Sequence, residues 1–429
     1  MTEHDAKATA KTDAKATMAL LTDHAHQARQ HMYQATIDQR NKALLSAARH
    51  IQAHMAKLLV ANRADVDKAK TDKLTAAYID RLTLTEERIQ GMINALHDIA
   101  ELDDPVGVEL ARWTRPNGLD ISRISTPLGV LGVIFEARPN VTVDAAALAI
   151  KSANCVILRG GSSSINSAVL LGDMMRHGLR EAGLPEDAVQ VIKDVDRALV
   201  GAMLTAQGGI DVIVPRGGRS LVERVQAEAK IPVFAHLEGI CHIYVHADAD
   251  PELAKSIVVN AKMRRPGICG AAETLLIDKA VINSIWPDIA AALRDTGCQI
   301  RGDEATRAVC PWIDAATKDD FGHEFLDAII AVKAVDHVDD AIAHIRQHGS
   351  DHTESILTAD QDIAEYFVRQ IDSSIVMINA STQFADGGEF GMGAELGIAT
   401  GRIHARGPVS IEQLTCFKYI VRGNGQTRP

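Results

Sequence analysis

The sequence predicts an α/β protein whose 429 residues form two α/β domains behind a helical N-terminal region. Short apolar runs alternate with amphipathic segments, a pattern typical of βαβ units and a parallel sheet. The runs of the first series lie at 155–158, 189–193 and 211–214. Those of the second series lie near 241–246, 273–278, 354–358 and 374–378. The length agrees with this division, because single hydrophobic cores stop growing at a smaller size.

The two ends of the chain differ from this pattern. Residues 1–17 contain the unit Asp-Ala-Lys-Ala-Thr twice without a broad apolar stripe, which predicts a flexible tail. Residues 18–104 carry apolar side chains at helical spacing, and Thr83 with Glu86 predicts a capping box. Residues 410–422 predict a last strand, with a hairpin near 107–125 as its partner. A protruding sheet of that kind usually serves an oligomer.

Composition excludes several classes of partner. The net charge of −11 provides no basic surface for a nucleic-acid backbone. No run of about 18 apolar residues could span a bilayer, so no membrane contact is expected. The six cysteines are scattered without a CxxC pair, which is typical of reduced thiols in a reducing compartment. We therefore expect a cytoplasmic protein with a small-molecule ligand.

One cysteine lies in a cationic connection between a predicted helix and a predicted strand. Its loop runs Arg264-Arg265-Pro266-Gly267-Ile268-Cys269-Gly270. Neighbouring guanidinium groups favour the thiolate, which makes Cys269 a candidate nucleophile. The alternative is a buried cysteine that packs as a small hydrophobic residue.

Two glycine-rich loops follow predicted strands. Arg159-Gly160-Gly161-Ser162 ends the first and Arg216-Gly217-Gly218 ends the second. Such loops expose backbone N–H groups to a phosphate, and ligands of open α/β sheets lie outside the carboxyl ends of the strands. Neither loop fits a dinucleotide or P-loop motif, so an ordinary turn is the alternative for each.

Three histidines, His344, His348 and His352, are spaced four residues apart. On an unbroken helix they would align as metal ligands, but Gly349 predicts that the helix ends after His348. No cysteine or carboxylate clearly joins them. A substrate contact or a charge at the helix end is therefore favoured over zinc, and no metal is expected.

These segments, in this order, resemble the γ-glutamyl phosphate reductase family of the aldehyde dehydrogenase superfamily from about residue 20 to 422. The most specific stretch is 335–356, which contains His348-Gly349-Ser350 and His352-Thr353-Glu354. Further matching segments lie at 132–139, 236–239, 388–393 and 404–408. The resemblance implies an aldehyde dehydrogenase-like fold, with a Rossmann-type cofactor domain, an α/β catalytic domain and a small β extension for oligomerisation.

The same resemblance implies domain boundaries. The NADPH-binding domain would comprise 18–106, 126–234 and 372–408, and the catalytic domain 235–371. The oligomerisation extension would comprise 107–125 and 409–429. A homodimer or homotetramer is expected.

The family reaction is the NADPH-dependent reduction of L-glutamate 5-phosphate to L-glutamate 5-semialdehyde, with phosphate release, in proline biosynthesis. The resemblance makes Cys269 the nucleophile that forms a thioester. It also implies a possible transient contact with glutamate 5-kinase. One departure is Gly270, where the family more often has asparagine, and Ala137 aligns where related enzymes have their oxyanion asparagine. The side-chain oxyanion donor is therefore not identified.

Comparison with hydrolytic aldehyde dehydrogenases implies further roles. Their water-activating glutamate aligns with His236, so the thioester would lack a hydrolytic base. Their Lys-Pro-x-Glu cofactor motif aligns with the loop at 159–162, where loss of the carboxylate favours NADPH over NADH. The expected cofactor ligands are Arg159, Gly160, Gly161, Ser162, Arg216, Gly217, Gly218 and Glu324. The expected substrate ligands are Arg138, Arg265, His348, His352, Glu354 and Asn379.

Three alternatives remain at this point. Arg138, the preferred anion clamp, could instead form a structural salt bridge. The chain could be an oxidative NAD(P)-dependent aldehyde dehydrogenase acting on another aldehyde, which phosphate dependence would distinguish. It could also be a catalytically silent nucleotide-binding scaffold. Such a protein would have no turnover, so substitution of Cys269 would abolish no activity.

Overall fold

The structure, a computed structural model, describes the backbone of residues 3–428 and the side chains of residues 13–428. Five helices come first: α1 (Glu3–Gln34), α2 (Ile37–Ala53), α3 (Met55–Thr71), α4 (Ala76–Leu82) and α5 (Glu86–Glu101). Thr36 forms a capping box with Gln39 on α2. Thr85 caps α5 and Thr83 ends α4, so the capping box predicted for Thr83 is wrong.

The predicted tail is helical over most of its described length. Residues 1–2 lie outside the described residues, and α1 begins at Glu3. Ala14 and Met18 are buried against the first domain. The flexible tail predicted for 1–17 therefore does not extend to residue 17, because the alanine-rich face of α1 finds a partner surface in the tertiary fold.

The predicted cofactor domain is built on a four-stranded sheet. Its strands are β3 (Val130–Phe135), β4 (Cys155–Gly160), β5 (Val189–Val191) and β6 (Val212–Arg216). Its helices are α6 (Val141–Lys151), α7 (Ile165–Glu181), α8 (Ala198–Leu204) and α9 (Arg219–Glu228). The strands are parallel in the order β5-β4-β3-β6. The chain moves from β3 to one side, and then returns to place β6 on the other side. This topological switch point lies at the carboxyl ends of β3 and β6, where ligands of such sheets bind.

The predicted catalytic domain is built on a seven-stranded sheet. Its strands are β7 (Cys241–Val245), β8 (Ala272–Asp278), β9 (Gln299–Gly302), β10 (Asp314–Ala315), β11 (Ile329–Val335), β12 (Thr353–Leu357) and β13 (Ile375–Ile378). Its helices are α10 (Pro251–Met263), α11 (Trp286–Asp295), α12 (Glu304–Val309), α13 (Val338–His348) and α14 (Gln361–Gln370). The strands are parallel in the order β10-β9-β11-β8-β7-β12-β13. Hydrophobic clusters around Trp286 and around Tyr244 and Phe367 cover the sheet.

One predicted domain boundary is corrected by this sheet. Residues 372–408 were expected in the cofactor domain, but β13 pairs in parallel with β12 and belongs to the catalytic sheet. The chain then passes through β14 (Ile398–Ala399) and β15 (Gly407–Pro408). Leu396, Val409 and Leu414 are buried in the cofactor-domain core, so the chain returns there after β13.

A third, antiparallel sheet contains β1 (Glu109–Thr114), β2 (Asp120–Pro127) and β16 (Thr415–Arg422). Its order is β1-β2-β16, which confirms the predicted pairing of the hairpin with the last strand. Most side chains of β1 and β16 are exposed, among them Trp113, Phe417 and Tyr419. Among the described helices, none has the length and apolarity required to cross a membrane.

Candidate active site

The edge of the catalytic sheet where its strands begin brings together three residues that are distant in the sequence. Cys241 is the first residue of β7, Cys269 lies just before β8, and His352 lies just before β12. Because β7 pairs with both β8 and β12 in parallel, these strand starts are neighbours. The Cys241 thiol donates to the carbonyl oxygen of Cys269 at 3.1 Å and lies 3.5 Å from Nδ1 of His352.

Gly239 allows a second segment to lie directly on the cysteine loop. A Cβ at this position would lie 2.7 Å from Cβ of Cys269 and still closer to its carbonyl oxygen. Only glycine fits without moving that backbone. The contact brings the segment 236–239 against Cys269, and with it the side chain of His236.

Two imidazoles flank the Cys269 thiol. The Cys269 sulfur and one ring nitrogen each of His236 and His352 lie within 4.8 Å of one another. Nδ1 of His236 is 2.6 Å from the carbonyl oxygen of Ile398, which requires a proton on Nδ1 and leaves Nε2 as a base. Burial, and then the charge of Arg216, lowers the pKa of His236. A neutral His236 is therefore placed to accept the thiol proton.

His352 has one ring nitrogen engaged. Nδ1 lies 2.9 Å from the Thr353 hydroxyl, whereas the buried Nε2 has no hydrogen-bond partner among the described residues. The sequence predicted His352 as a substrate ligand, and the structure places it beside Cys269. From the sequence, His236 was expected only to replace the water-activating glutamate of related enzymes. Its proximity to Cys269 is seen only in the structure.

Arg138 is an electrostatic neighbour of Cys269 and of two further guanidinium groups, those of Arg216 and Arg265. Arg138 follows β3 and Arg216 ends β6, at the topological switch point, while Arg265 belongs to the cysteine loop. Burial, and then the charges of Arg216 and Arg81, lowers the pKa of Arg138 to about 10, an effect that Cys269 opposes. Arg138 remains charged at neutral pH. These neighbours show that the cofactor-sheet edge faces the cysteine loop.

Arg138, Arg216 and Arg265 form no salt bridge with any side chain of residues 13–428, whereas about half of the other arginines do. The alternative of a structural salt bridge for Arg138 therefore finds no partner within that range. Guanidinium groups that form no ion pair with a carboxylate of residues 13–428 are suited to an anionic ligand.

Glu324 contacts the segment that carries His236. Its Oε1 accepts a hydrogen bond from the backbone N–H of Gly239 at 2.8 Å, and burial raises its pKa. Glu273 stabilises the loop around Glu324. Its carboxylate accepts from the Leu326 N–H at 3.2 Å and from Lys262 Nζ at 2.6 Å. Glu324 is therefore fixed between the cysteine loop and the predicted cofactor site.

The two glycine-rich loops lie where the sequence placed them, at the carboxyl ends of β4 and β6. Gly160, Gly161 and Ser162 precede α7, and Ser162 is exposed. Gly217 and Gly218 precede α9, and a Cβ on Gly217 would lie 2.6 Å from Leu221 and 2.9 Å from Glu136. Gly217 is therefore packed closely against these two side chains, whereas a Cβ on Gly218 would meet nothing within 4 Å, so the backbone is open to a ligand at Gly218.

Arg159 differs from its expected role. Its side chain is buried and donates to the carbonyl oxygens of Gly160 and Val195, the latter at 2.9 Å. These contacts hold the loop at 195–196 against β4. The guanidinium is engaged by backbone rather than free for a phosphate, so Ser162 is the more accessible group at this loop.

Three expected substrate ligands have other contacts. Glu354 is fully buried in β12, where its carboxylate bonds His242 Nδ1 at 2.9 Å and accepts from the Ser373 hydroxyl at 3.1 Å. The Asn379 side chain bonds the backbone of Thr358 in both directions, at 2.8 and 3.0 Å. His348 stacks near His344 at the end of α13. We therefore do not propose these three as substrate ligands; they stabilise the catalytic domain.

The chain is similar to known proteins in both sequence and structure. A model of the aldehyde dehydrogenase family matches residues 2–325. The gamma-glutamyl phosphate reductase of Rhodospirillum rubrum is 56% identical over 390 residues, which cover 91% of each chain. The crystal structure of gamma-glutamyl phosphate reductase from Thermotoga maritima matches with a TM-score of 0.94 and 41% identity, covering 96% of this chain and 100% of that one. An engineered glycolyl-CoA reductase with bound NADP⁺ matches with a TM-score of 0.66 and 16% identity, covering 94% of this chain and 96% of that one, which shows a shared fold.

Proposed function

The chain belongs to the aldehyde dehydrogenase family and, within it, to the gamma-glutamyl phosphate reductases, and from this membership we propose how its site works. It is an oxidoreductase that uses NAD(P) and reduces L-glutamate 5-phosphate to L-glutamate 5-semialdehyde, with phosphate release, in proline biosynthesis. The observation that carries the proposed mechanism is Cys269 between two imidazoles and beside unpaired guanidinium groups.

The first step is acyl transfer to Cys269. His236 Nε2 takes the thiol proton, and the thiolate attacks the C5 carbonyl of the acyl phosphate. The new C–S bond forms as the C–O bond to phosphate breaks, which leaves a thioester and free phosphate. The backbone N–H of Cys269, which has no acceptor among the described residues, is the first candidate donor to the developing oxyanion.

The second step releases the aldehyde. The nicotinamide cofactor, when bound, supplies the hydride. The Cys269 loop holds the resulting tetrahedral oxyanion, and its collapse breaks the C–S bond. His236 then returns the proton to the sulfur. Glu324, Gly217 and Gly218 are proposed as groups that hold the cofactor at the switch point.

Phosphate dependence tests this reaction. The enzyme run in reverse needs phosphate as the acyl acceptor, so oxidation of glutamate 5-semialdehyde by NADP⁺ should rise from near zero to saturation as phosphate is added. The missing glutamate does not by itself prevent hydrolysis of the thioester by water, because His236 is also a base and lies close to Cys269. Oxidation that is independent of phosphate would instead favour the hydrolytic aldehyde dehydrogenase.

Arg138 is proposed to clamp a carboxylate or phosphate of the substrate. Arg138→Lys should lower kcat/KM of the phosphate-dependent reaction by roughly 10- to 100-fold, since a lysine keeps the charge but loses bidentate geometry worth about 1.5–3 kcal/mol. Steady-state kinetics with the aldehyde and phosphate each varied would show which anion is affected. Arg180→Lys is the matched control, because Arg180 is exposed and pairs with Glu186. Equal losses in both variants would remove Arg138 from the site.

NADPH is proposed as the preferred cofactor, supported by the absence of a carboxylate in the loop at 160–162. Ser162→Glu should lower kcat/KM for NADPH by about 10-fold and change that for NADH much less, because a carboxylate would repel the 2′-phosphate. Ser162→Ala should retain the preference. Comparable efficiency of the wild-type enzyme with both cofactors would contradict the proposal.

A second copy of the chain is the proposed partner of the three-stranded sheet. Strand β16 is an edge strand with exposed aromatic side chains, Phe417 and Tyr419, and exposed edges of that kind favour pairing. Sedimentation should give a mass that is an even multiple of 46.2 kDa, as a homodimer or homotetramer requires.

Transient contact with glutamate 5-kinase and a cytoplasmic location are also proposed. Retention of the acyl phosphate in a coupled assay with the kinase would test the contact. Cell fractionation would test the location.

A further inference from the structure

The residues around the nucleophile also form a set of donors suited to a soft divalent cation. Zn²⁺ in proteins prefers cysteine sulfur and histidine nitrogen, and sites with three protein ligands keep a fourth position open. His236, Cys269 and His352 provide one sulfur and two imidazoles. The histidines differ from the series His344, His348 and His352 considered from the sequence, because only His352 belongs to both.

The hydrogen bonds leave the correct nitrogens free. Nδ1 of His236 bonds the Ile398 carbonyl and Nδ1 of His352 bonds the Thr353 hydroxyl, so Nε2 is the available ligand atom of each ring. Metal-bound histidines commonly have their other nitrogen held in this way. Nε2 of His352 is fully buried and has no partner among the described residues, which is an independent sign of an unfilled interaction.

The distances require only a small closure. The Cys269 sulfur and one nitrogen of each imidazole ring lie within 4.8 Å of one another. Bonds of about 2.0–2.3 Å to a tetrahedral Zn²⁺ would separate its ligands by roughly 3.3–3.8 Å. Side-chain rotations that move the ligand atoms by about 1 Å would bring them to these separations. On binding, the Cys269 thiol releases its proton to solvent and the thiolate offsets the repulsion from Arg138 and Arg216.

We propose that His236, Cys269 and His352 form a Zn²⁺-binding site whose occupation reversibly inhibits the enzyme. Zn²⁺ bound to the sulfur blocks attack on the acyl phosphate. The inhibition rests on the proposed role of Cys269 as nucleophile, whereas the binding does not, so the two are measured separately.

Binding is tested with Co²⁺ as a spectroscopic probe of the full-length, reduced enzyme. A thiolate-to-cobalt charge-transfer band should appear with one equivalent of Co²⁺, disappear on addition of Zn²⁺, and be absent from Cys269→Ser. His352→Ala and His236→Gln should each weaken Co²⁺ binding by at least about 10-fold. Two histidine variants are used because His352 is fully buried and its replacement can impair folding, whereas His236 is only half-buried.

Inhibition is tested in the phosphate-dependent assay. Zn²⁺ should inhibit the wild-type enzyme, and a chelator should restore its activity. The matched control is His177→Ala, which disrupts the second histidine and carboxylate group of the described residues, formed by His50, His177 and Glu181 between α2 and α7. This variant should keep both the basal activity and the Zn²⁺ inhibition.

The outcomes separate the two proposals. No band in the wild-type enzyme, a band that persists in Cys269→Ser, or loss of inhibition in His177→Ala would overturn the zinc site. A wild-type band together with full turnover by Cys269→Ser would leave the metal site standing and contradict the proposed catalytic role.

Discussion

Cys269→Ser should lower the phosphate-dependent oxidation of glutamate 5-semialdehyde by at least ~10⁴-fold, because loss of a covalent nucleophile removes the acyl intermediate itself. A serine hydroxyl is far less acidic than a thiol, and neutral His236 is a weak base for it. Cofactor affinity should remain within about two-fold, since Cys269 lies in the catalytic domain while the glycine-rich loops lie in the other. Turnover and a fluorescence titration with NADPH measure the two effects.

Cys416→Ser is the control for this substitution. Cys416 is half-buried on β16, in the sheet remote from the cysteine loop, and its replacement should leave activity within about two-fold. Retention of more than a few per cent of activity by Cys269→Ser would show that another group attacks the substrate. Loss of cofactor binding in that variant would show that Cys269 supports the fold as well as the chemistry.

Lys262→Met should lower the free energy of unfolding by about 3–5 kcal/mol, the cost typical of removing one partner of a buried ion pair. Lys262 and Glu273 are both fully buried and lie 2.6 Å apart. Without the ammonium group, the Glu273 carboxylate would be left without its cation between α10 and β8. Urea or guanidinium unfolding, followed by circular dichroism, measures the change.

Two further variants define the origin of that loss. Lys262→Met combined with Glu273→Leu should recover most of the stability, because no uncompensated charge remains. Lys279→Met removes a comparable but exposed pair with Asp336 and should cost no more than about 1 kcal/mol. A similar loss in Lys279→Met and Lys262→Met would contradict the argument from burial.

The pair also makes stability depend on pH. Burial raises the pKa of Glu273 to about 7, from an ordinary value of 4.5, despite the opposing charge of Lys262. The folded state then binds a proton more tightly than the unfolded state between these values, so this group's contribution to stability falls as pH rises through the window. The deficit of Lys262→Met should accordingly be smaller at pH 5 than at pH 8.

Local patterns in the sequence were sufficient for most elements of the fold. The alternation of apolar and amphipathic segments predicted β4, β5 and β6 of one sheet and β7, β8, β12 and β13 of the other, since side chains of a parallel sheet are buried on both faces. It did not predict β3, β9, β10 or β11. The pairing of the hairpin with the last strand was also confirmed. The pattern also placed the run at 374–378 in the second series, to which β13 belongs, whereas the boundary implied by the family resemblance put 372–408 in the other domain and was wrong for β13.

Single residues of the site were recognisable in the sequence when their function depends on a local conformation. Cys269 stands in a cationic connection, and Gly217 and Gly218 in a turn after a strand, and each of these features is encoded by adjacent residues. The family resemblance then supplied the reaction. Polar residues in the same region, such as Glu354 and Asn379, looked equivalent to site residues because the sequence does not show which partners they bond in the fold.

The sequence by itself determined the alternating α/β architecture, the position of the cysteine loop and the phosphate-type turns. Only the tertiary structure decided that His236 and His352 flank Cys269, that Arg138 has no carboxylate partner in the described residues, and that Glu354 bonds His242 instead of substrate. The reason is that these relations depend on the register of parallel strands, which brings residues more than 80 positions apart to one sheet edge. Cys269 is identified by its neighbours in the chain, but the groups that receive its proton are identified only by its neighbours in space.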